Sequence, residues 1–335
     1  MKSVRLIIPD LILPEEFAAE VVADLSLPAL QRILGRGRIE TLEAVPLENI
    51  LCETFGIPCR TGAPIAPIAA AFDGFGDGCW LRADPVHLEL QRDRILLGGI
   101  PVSSEESALL CSGLNEHFAG QGMEFFAPHP LRWYLRLDLT PDIETTPLSA
   151  AIGGDMRKLL PTGKDAAHWH RIYNEIQMLL HAHPVNENRE ARGEPPINSV
   201  WLWGTGRSGH VRAERNFEEA CSDDSLVEML AASAGVPYAN WPGRWSEATE
   251  GRQLLVWTGL RSALLRGDLA AWRAALQDFE LGYAQPIWQA LRSGKITSLR
   301  IDIPCRDVMR RVKLTRHDSW AFWRRSKRLS EYSLV

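Results

Sequence analysis

The chain has 335 residues, 45% of them hydrophobic and 24% charged, with a formal net charge of −5. That composition excludes a disordered chain, and the acidic balance excludes a polyanion binder over its whole surface. The longest apolar runs fall far short of the roughly 20 residues that span a membrane, and the length accommodates one large domain or two ordinary ones.

In chain order, Arg5–Pro9 reads as a short buried strand rather than part of a signal peptide, because acids and a proline follow the apolar run. Pro14–Leu25 and Pro28–Gly35 read as helices, the first with Glu15 and Glu16 at its positive end. Pro46–Phe55 is a third helix, stopped by Gly56, and the small-residue stretch after it is a tight helix or a crossing between lobes. Cys79–Leu97 predicts paired strands turning at Arg92 and Asp93, and Ser103 with Glu106 forms a capping-box pattern. Leu131–Leu137 alternates like a strand, and Ala166–Leu180 places Trp169, Ile172, Tyr173, Ile176 and Leu180 on one helical face. A polar loop then leads to the strand Ser199–Trp203 and a glycine-rich turn. Leu226–Ala234 is a helix and Gln253–Thr258 a strand. Asp268 caps a long helix to about Ser293, and strands Ile296–Ile303 and Val308–Leu314 follow. Strands alternating with long helices predict an α/β protein with a mostly parallel sheet.

The six cysteines are scattered without a C-x-x-C pair, which points to reduced, mostly buried thiols and a cytoplasmic protein. Residues 306–335 hold nine Lys/Arg against three Asp/Glu, interleaved with Trp320, Phe322 and Trp323. A solvated helix neutralising an acidic body is the favoured reading of that tail, ahead of a nucleic-acid or partner surface.

The richest stretch is HAHPVNENREARGEPPINSVWLWGTGRSG, residues 181–209. Read as a loop, it places His183, Asn186, Arg189 and Asn198 near the carboxyl end of a strand, where open α/β sheets bind ligands. Arginine offers a planar fork for phosphate or carboxylate, and Gly204, Gly206 and Gly209 permit close backbone approach. The alternative is a loop whose polar side chains satisfy its own backbone. GTGRSG matches neither a P-loop nor a Rossmann fingerprint, and the pairs His168/His170 and His181/His183 point to opposite helix faces and form no chelate.

The segment His183-Pro184-Val185-Asn186, Arg189, Gly193, Pro195-Pro196, Asn198, then Gly204 and Gly206 resembles the cofactor-independent phosphoglycerate mutases of archaeal type, in the alkaline phosphatase superfamily. PALQRILGRGR (28–38) looks like the superfamily's early helix. RWYLRL (132–137) looks like the strand bearing a substrate-facing arginine, here Arg132. The chain also resembles certain proteobacterial proteins of a regulatory type. The resemblance implies an alkaline-phosphatase-like, mostly parallel sheet flanked by helices. It also implies a core of residues 1–75 and 195–335, an inserted smaller α+β lobe at 76–194, and a cleft that His183, Asn186, Arg189, Asn198 and Arg132 line or brace.

The departures bear on activity. The family's nucleophilic serine is matched by Glu48 in Pro46-Leu47-Glu48-Asn49, which cannot become a phosphoserine. Of the ligands for two metals, only Asp10, Asp302 and His317 remain as remnant candidates. The expectation is therefore a catalytically degenerate pseudoenzyme without a catalytic residue or a cofactor. It would bind an anionic or phosphorylated small molecule in a regulatory role, with no membrane and no nucleic-acid partner. The alternatives are an active phosphatase or phosphomutase rebuilt around Mn or Zn, and a partner-binding module using the basic C-terminal tail.

Overall fold

A computed structural model describes every residue except 1, 14–17, 19, 23, 60–61, 92–93, 247–250 and 333–335. Glu15 and Glu16, part of the helix expected at Pro14–Leu25, and the turn at Arg92 and Asp93 lie outside the described residues.

The elements begin with β1 (Ser3–Ile7), α1 (Pro28–Arg36), β2 (Arg38–Glu43), α2 (Leu47–Thr54) and α3 (Ile65–Phe72). Next come β3 (Cys79–Gln91), β4 (Arg94–Gly98), α4 (Ser104–His117), β5 (Met123–His129), β6 (Arg132–Leu137) and α5 (Leu148–Ala151). They continue with α6 (Ala166–His181), α7 (Pro184–Ala191), β7 (Ser199–Arg207), β8 (Glu219–Ser222), α8 (Ser225–Ala234), β9 (Tyr238–Asn240) and β10 (Arg252–Val256). Last are α9 (Gly259–Leu265), α10 (Leu269–Phe279), a π-helical turn (Glu280–Ala284), α11 (Gln285–Ser293), β11 (Ser298–Pro304) and β12 (Val308–Thr315).

The chain divides into two compact units, Met1–Val45 with Arg215–Val335, and Pro46–Glu214. The division therefore falls at 45/46 and 214/215, not at the expected 75/76 and 194/195. The reason is pairing. β7 lies antiparallel along β3, Val86 opposite Ser199 and Cys79 opposite Arg207, and α3 packs on both strands. These contacts keep α2, α3 and β7 with the smaller sheet.

The first unit is built on a seven-stranded sheet of order β2-β12-β11-β1-β10-β8-β9. β11, β1, β10, β8 and β9 run parallel, and β12 and β2 close the edge antiparallel. The alternation of β1 sends Val4 and Leu6 into the core with Leu299, Ile301, Val312 and Leu314. Trp272, Leu276, Phe279, Ile287 and Leu291 of the α10–α11 run cover that face. Asp268 caps the run by accepting from Ala271 N at 2.8 Å, and helical backbone reaches Ser293 through the π-helical turn. That turn carries the buried Glu280, whose oxygens accept from Ala29 N (2.7 Å) and Leu30 N (3.0 Å). A carboxylate thus satisfies the orphan donors at the positive end of α1. The basic tail does not form the expected solvated helix. Its first part is β12, with Met309, Val312 and Leu314 buried, and Leu329 and Tyr332 are buried after it.

The second unit is an antiparallel sheet of order β4-β3-β6-β5, with β7 on β3. Its interior is aromatic, with Trp80, Trp133, Tyr134, Tyr173 and Trp201 almost fully buried. The capping box forms as expected: Glu106 N donates to Ser103 Oγ (3.1 Å) and Ser103 N to Glu106 Oε2 (2.9 Å).

Candidate functional site

Residues 183–191 are not a loop. His183 is the N-cap of α7, its Nδ1 accepting from Val185 N at 3.2 Å, and Pro184 starts the helix. Gly113 of α4 leaves room for the ring, since a Cβ there would stand 3.1 Å from it. The group also sits at the amino end of β7, in an antiparallel sheet. The carboxyl-edge rule for open parallel sheets therefore does not apply to it.

Each of the five expected ligand residues is held by the protein itself. Asn186 is buried, donates through Nδ2 to Leu180 O (2.7 Å) and Ile197 O (2.8 Å), and accepts from Ile197 N. Arg189 is 2% exposed. Its Nη1 lies 3.0 Å from both Glu106 oxygens, while Nε and Nη2 donate to Pro195 O and Pro101 O. Asn198 pairs with the backbone of Leu88 in both directions (2.7 and 2.9 Å), continuing by side chain the ladder of β7 on β3. Arg132 grips Asp73 with two bonds of 2.6 Å, and Tyr134 OH donates to the same carboxylate at 2.5 Å. Burial opposes ionisation of Asp73, but those donors outweigh it and hold the carboxyl below its usual range. Sequence reading missed Asp73 and gave Glu106 only its capping role; these carboxylates claim the two arginines.

The glycines also serve packing. Gly204 has φ +72, and a Cβ on Gly206 would stand 2.9 Å from Pro67 of α3. Both lie within β7 rather than in a turn after it. On the same unit, Glu48 stands in the first turn of α2, buried, accepting from Ser149 Oγ at 2.7 Å.

The parallel sheet of the first unit has its own carboxyl edge, where Asp10 follows β1, Asp223 follows β8 and Thr258 follows β10. Asp10 has φ +58, the one non-glycine with positive φ among the described residues. Its backbone is fixed by Asp10 N donating to Pro304 O (3.1 Å) and Trp272 Nε1 donating to Asp10 O (3.2 Å). Its carboxylate accepts from Arg261 Nε at 2.8 Å. Arg261 Nη1 is buried without a hydrogen-bond partner. Asp223 Oδ1 accepts from Thr258 N at 2.7 Å. The half-buried Cys305 thiol is pushed up to about 12, chiefly by burial and then by Asp10.

Asp302, fully buried within β11, is ringed by guanidiniums: Arg5 (2.8 Å), Arg300 (2.9 Å) and Arg311 (2.7 Å). Their placement follows from strand period, since Arg300 precedes Asp302 by two residues and Arg311 is its cross-strand partner. Burial opposes ionisation of Asp302, but attraction from Arg5 and hydrogen bonds from Arg300 and Arg311 prevail and hold the carboxyl below its usual range. His317 begins a single 3-10 turn, Asp318–Trp320.

A pair of divalent metals requires a cluster of free carboxylates and imidazoles. Among the described residues no group of three or more His, Cys, Asp or Glu could hold a metal ion. The donor set does not fit: Asp10 and Asp302 are each matched to arginine. The segment GLRSALLRGD, residues 259–268, supplies Arg261, the arginine that engages Asp10. No described helix is long and apolar enough to cross a membrane.

A mostly parallel sheet carrying helices, with a second α+β unit, is the alkaline-phosphatase-like architecture. Two solved structures share it. One is a cofactor-independent phosphoglycerate mutase from Thermoplasma acidophilum (TM-score 0.52, 14% identity, covering 100% of this chain and 96% of that one). The other is the PH0037 protein from Pyrococcus horikoshii (TM-score 0.53, 13% identity, covering 94% and 87%). In sequence, the chain is similar to 2,3-bisphosphoglycerate-independent phosphoglycerate mutases. It is 30% identical to that of Methanosarcina barkeri over 217 residues, 61% of this chain and 54% of that protein. It is 26% identical to that of Methanosarcina acetivorans over 240 residues, 64% and 58%. The chain thus matches little more than half the length of these relatives. No family profile matches it.

Proposed function

We propose that this phosphoglycerate-mutase-like chain binds a phosphorylated or otherwise anionic small molecule without a metal, transfers no phosphoryl group, and acts in a regulatory capacity. The observation that carries the reading is Arg261 at the carboxyl edge of parallel strands, its Nε bonded to Asp10 and its side chain 21% exposed. A guanidinium fixed there and still open to solvent suits a phosphate or carboxylate. Arg5, Arg300 and Arg311 around Asp302 add further guanidinium charge to the same parallel sheet. Glu48, already hydrogen-bonded to Ser149, offers no hydroxyl for phosphorylation.

The relatives' name makes 3-phosphoglycerate the first ligand to try. Calorimetric titration in excess chelator is expected to give saturable binding that Arg261→Ala weakens. Stoichiometric Mn or Zn in the purified protein, lost on Asp302→Ala, together with phosphatase or mutase turnover, would replace this reading with that of a rebuilt enzyme.

A second reading rests on the C-terminal segment, where Trp320, Phe322 and Trp323 are 54%, 80% and 70% exposed. Arg292 lies over the Trp320 ring at 5.0 Å. An aromatic and basic surface of that kind suits an acidic partner protein. Deleting residues 316–335 would abolish capture of such a partner and leave small-molecule binding in place.

A further inference from the structure

The strand alternation that sends Leu6, Ile301 and Val312 into the core sends the residues between them to the opposite face of the same sheet. There the register sets four cations side by side. Arg5 of β1 stands opposite Arg300 of β11, Arg300 opposite Lys313 of β12, and Lys313 opposite Arg38 of β2. One step along the strands, Asp302, Arg311 and Glu40 stand opposite one another in the same way. Asp302 holds Arg5, Arg300 and Arg311, and Glu40 holds Lys313 at 3.0 Å. Five cations against two carboxylates leave three positive charges over. The nearby Asp318 carboxylate is engaged by Thr315 N and Oγ1 (2.9 and 2.7 Å) and by Arg324 (3.3 Å). Arg38 and Lys313 are exposed, and Arg5, Arg300 and Arg311 are half-buried, so solvent reaches the whole row.

The geometry points to an oligophosphate site on this face, where Arg5, Arg300, Arg311, Lys313 and Arg38 bind a chain of linked phosphoryl groups, inorganic or carried by a nucleoside. Like charges directly opposite on neighbouring strands destabilise a sheet, so a row of them calls for an anion. The strain is visible at Arg5. Burial lowers its guanidinium from the ordinary value, and the charges of Arg300 and Arg311 lower it further against the pull of Asp302.

The class of ligand follows from the layout. Neighbouring strands stand about 4.8 Å apart, so four of them carry the row over roughly 14 Å, more than one phosphate occupies. Guanidiniums present planar forks to phosphoryl oxygens, and Asp302 holds three of them in place beforehand. The Lys313–Glu40 pair is about half exposed, so it is weak and yields to a stronger anion. No strand position on this face of β1, β11, β12 or β2 is aromatic, so bases find nothing to stack on, and the net charge of −5 opposes a long polyanion. The row does not include Arg261, so it stands whether or not Arg261 binds phosphate.

The test is calorimetric titration of the full chain, at physiological salt and in excess chelator, with inorganic tripolyphosphate, orthophosphate, adenosine triphosphate and a single-stranded oligonucleotide. Tripolyphosphate should bind saturably, at least about tenfold more tightly than orthophosphate. Arg38→Gln combined with Lys313→Gln, both exposed side chains, should weaken it at least about tenfold. Lys158→Gln combined with Arg171→Gln removes the same charge from exposed positions of the other unit and should leave the affinity unchanged, as should Arg261→Ala. Urea unfolding checks that each variant is folded, and Arg38→Gln alone, with a loss of about threefold, replaces the double variant if it is not. Adenosine triphosphate binding more tightly than tripolyphosphate, and weakened by the same double variant, assigns the nucleoside-borne source; equal or weaker binding assigns the inorganic one. The inference is overturned by any of four results: no saturable tripolyphosphate binding, an equal loss in the Lys158 and Arg171 variant, a loss confined to Arg261→Ala, or tighter binding of the oligonucleotide.

Discussion

Replacing Arg189 with alanine separates a bracing role from a ligand-binding one. The side chain is 3% exposed and makes four hydrogen bonds, two to Glu106 and one each to Pro195 O and Pro101 O. Its loss strands two carbonyls and removes the main counter-charge of a carboxylate that is only 15% exposed. Breaking a buried pair on one side costs about 3–5 kcal/mol. Glu106 keeps Arg192 Nη2 at 3.1 Å and Ser103 N at 2.9 Å, so the expected loss sits near the lower end, about 3 kcal/mol. Urea unfolding of the wild type and the variant, followed by tryptophan fluorescence, measures it as a shift in midpoint with unchanged slope. Arg189→Lys should recover only part, because an ammonium cannot reproduce the fork. A loss below about 0.5 kcal/mol, the size of an ordinary surface substitution, together with weakened ligand binding, would refute the bracing role.

Asp302→Asn leaves Arg5, Arg300 and Arg311 without their shared anion and should cost about 3–5 kcal/mol at neutral pH. Because the folded carboxyl is held below its usual value near 3.9, its contribution is complete above that value and fades as pH falls through the lowered one. Acid titration of stability should therefore lose its steepest limb in the variant. Gly204→Ala forces an L-residue into φ +72 and should destabilise by about 1–2 kcal/mol on chemical denaturation, without changing ligand affinity. Glu48→Ser alone should yield no phosphoserine by intact mass after incubation with phosphoglycerate, because Asp10 and Asp302 remain paired with arginine.

What could be read in the sequence is what local rules determine. The capping box at Ser103, the stop at Gly56 and the apolar face of α6 each depend on neighbouring residues, and each is present; β6 forms as expected, but its burial does not alternate, since Trp133, Tyr134 and Leu135 are all buried. α7 reads as a loop in sequence because its buried face carries Asn186 and Arg189 beside Val185, so it shows no apolar stripe. The unit division at 214/215 is not legible in sequence because β7 pairs with β3, more than a hundred residues earlier, and pairing of that range leaves no local trace. The arginines of the first unit were overlooked for a related reason. Arg5, Arg300 and Arg311 reach Asp302 from three strands, and only the sheet register brings them together. Asp10 and Asp302 are recognisable by position but read as metal remnants, since Arg261, Arg5 and Arg311 are distant in sequence and only Arg300, two residues before Asp302, gives a local sign of guanidinium pairing.

The most direct test of the central claim is calorimetric titration of 3-phosphoglycerate into the full chain with excess chelator present, repeated with Arg261→Ala. Metal-independent binding predicts a saturable isotherm in chelator, weakened at least about tenfold, or 1.4 kcal/mol, in the variant. Binding that appears only when Mn or Zn is added back, with equal affinity for wild type and Arg261→Ala, would contradict it.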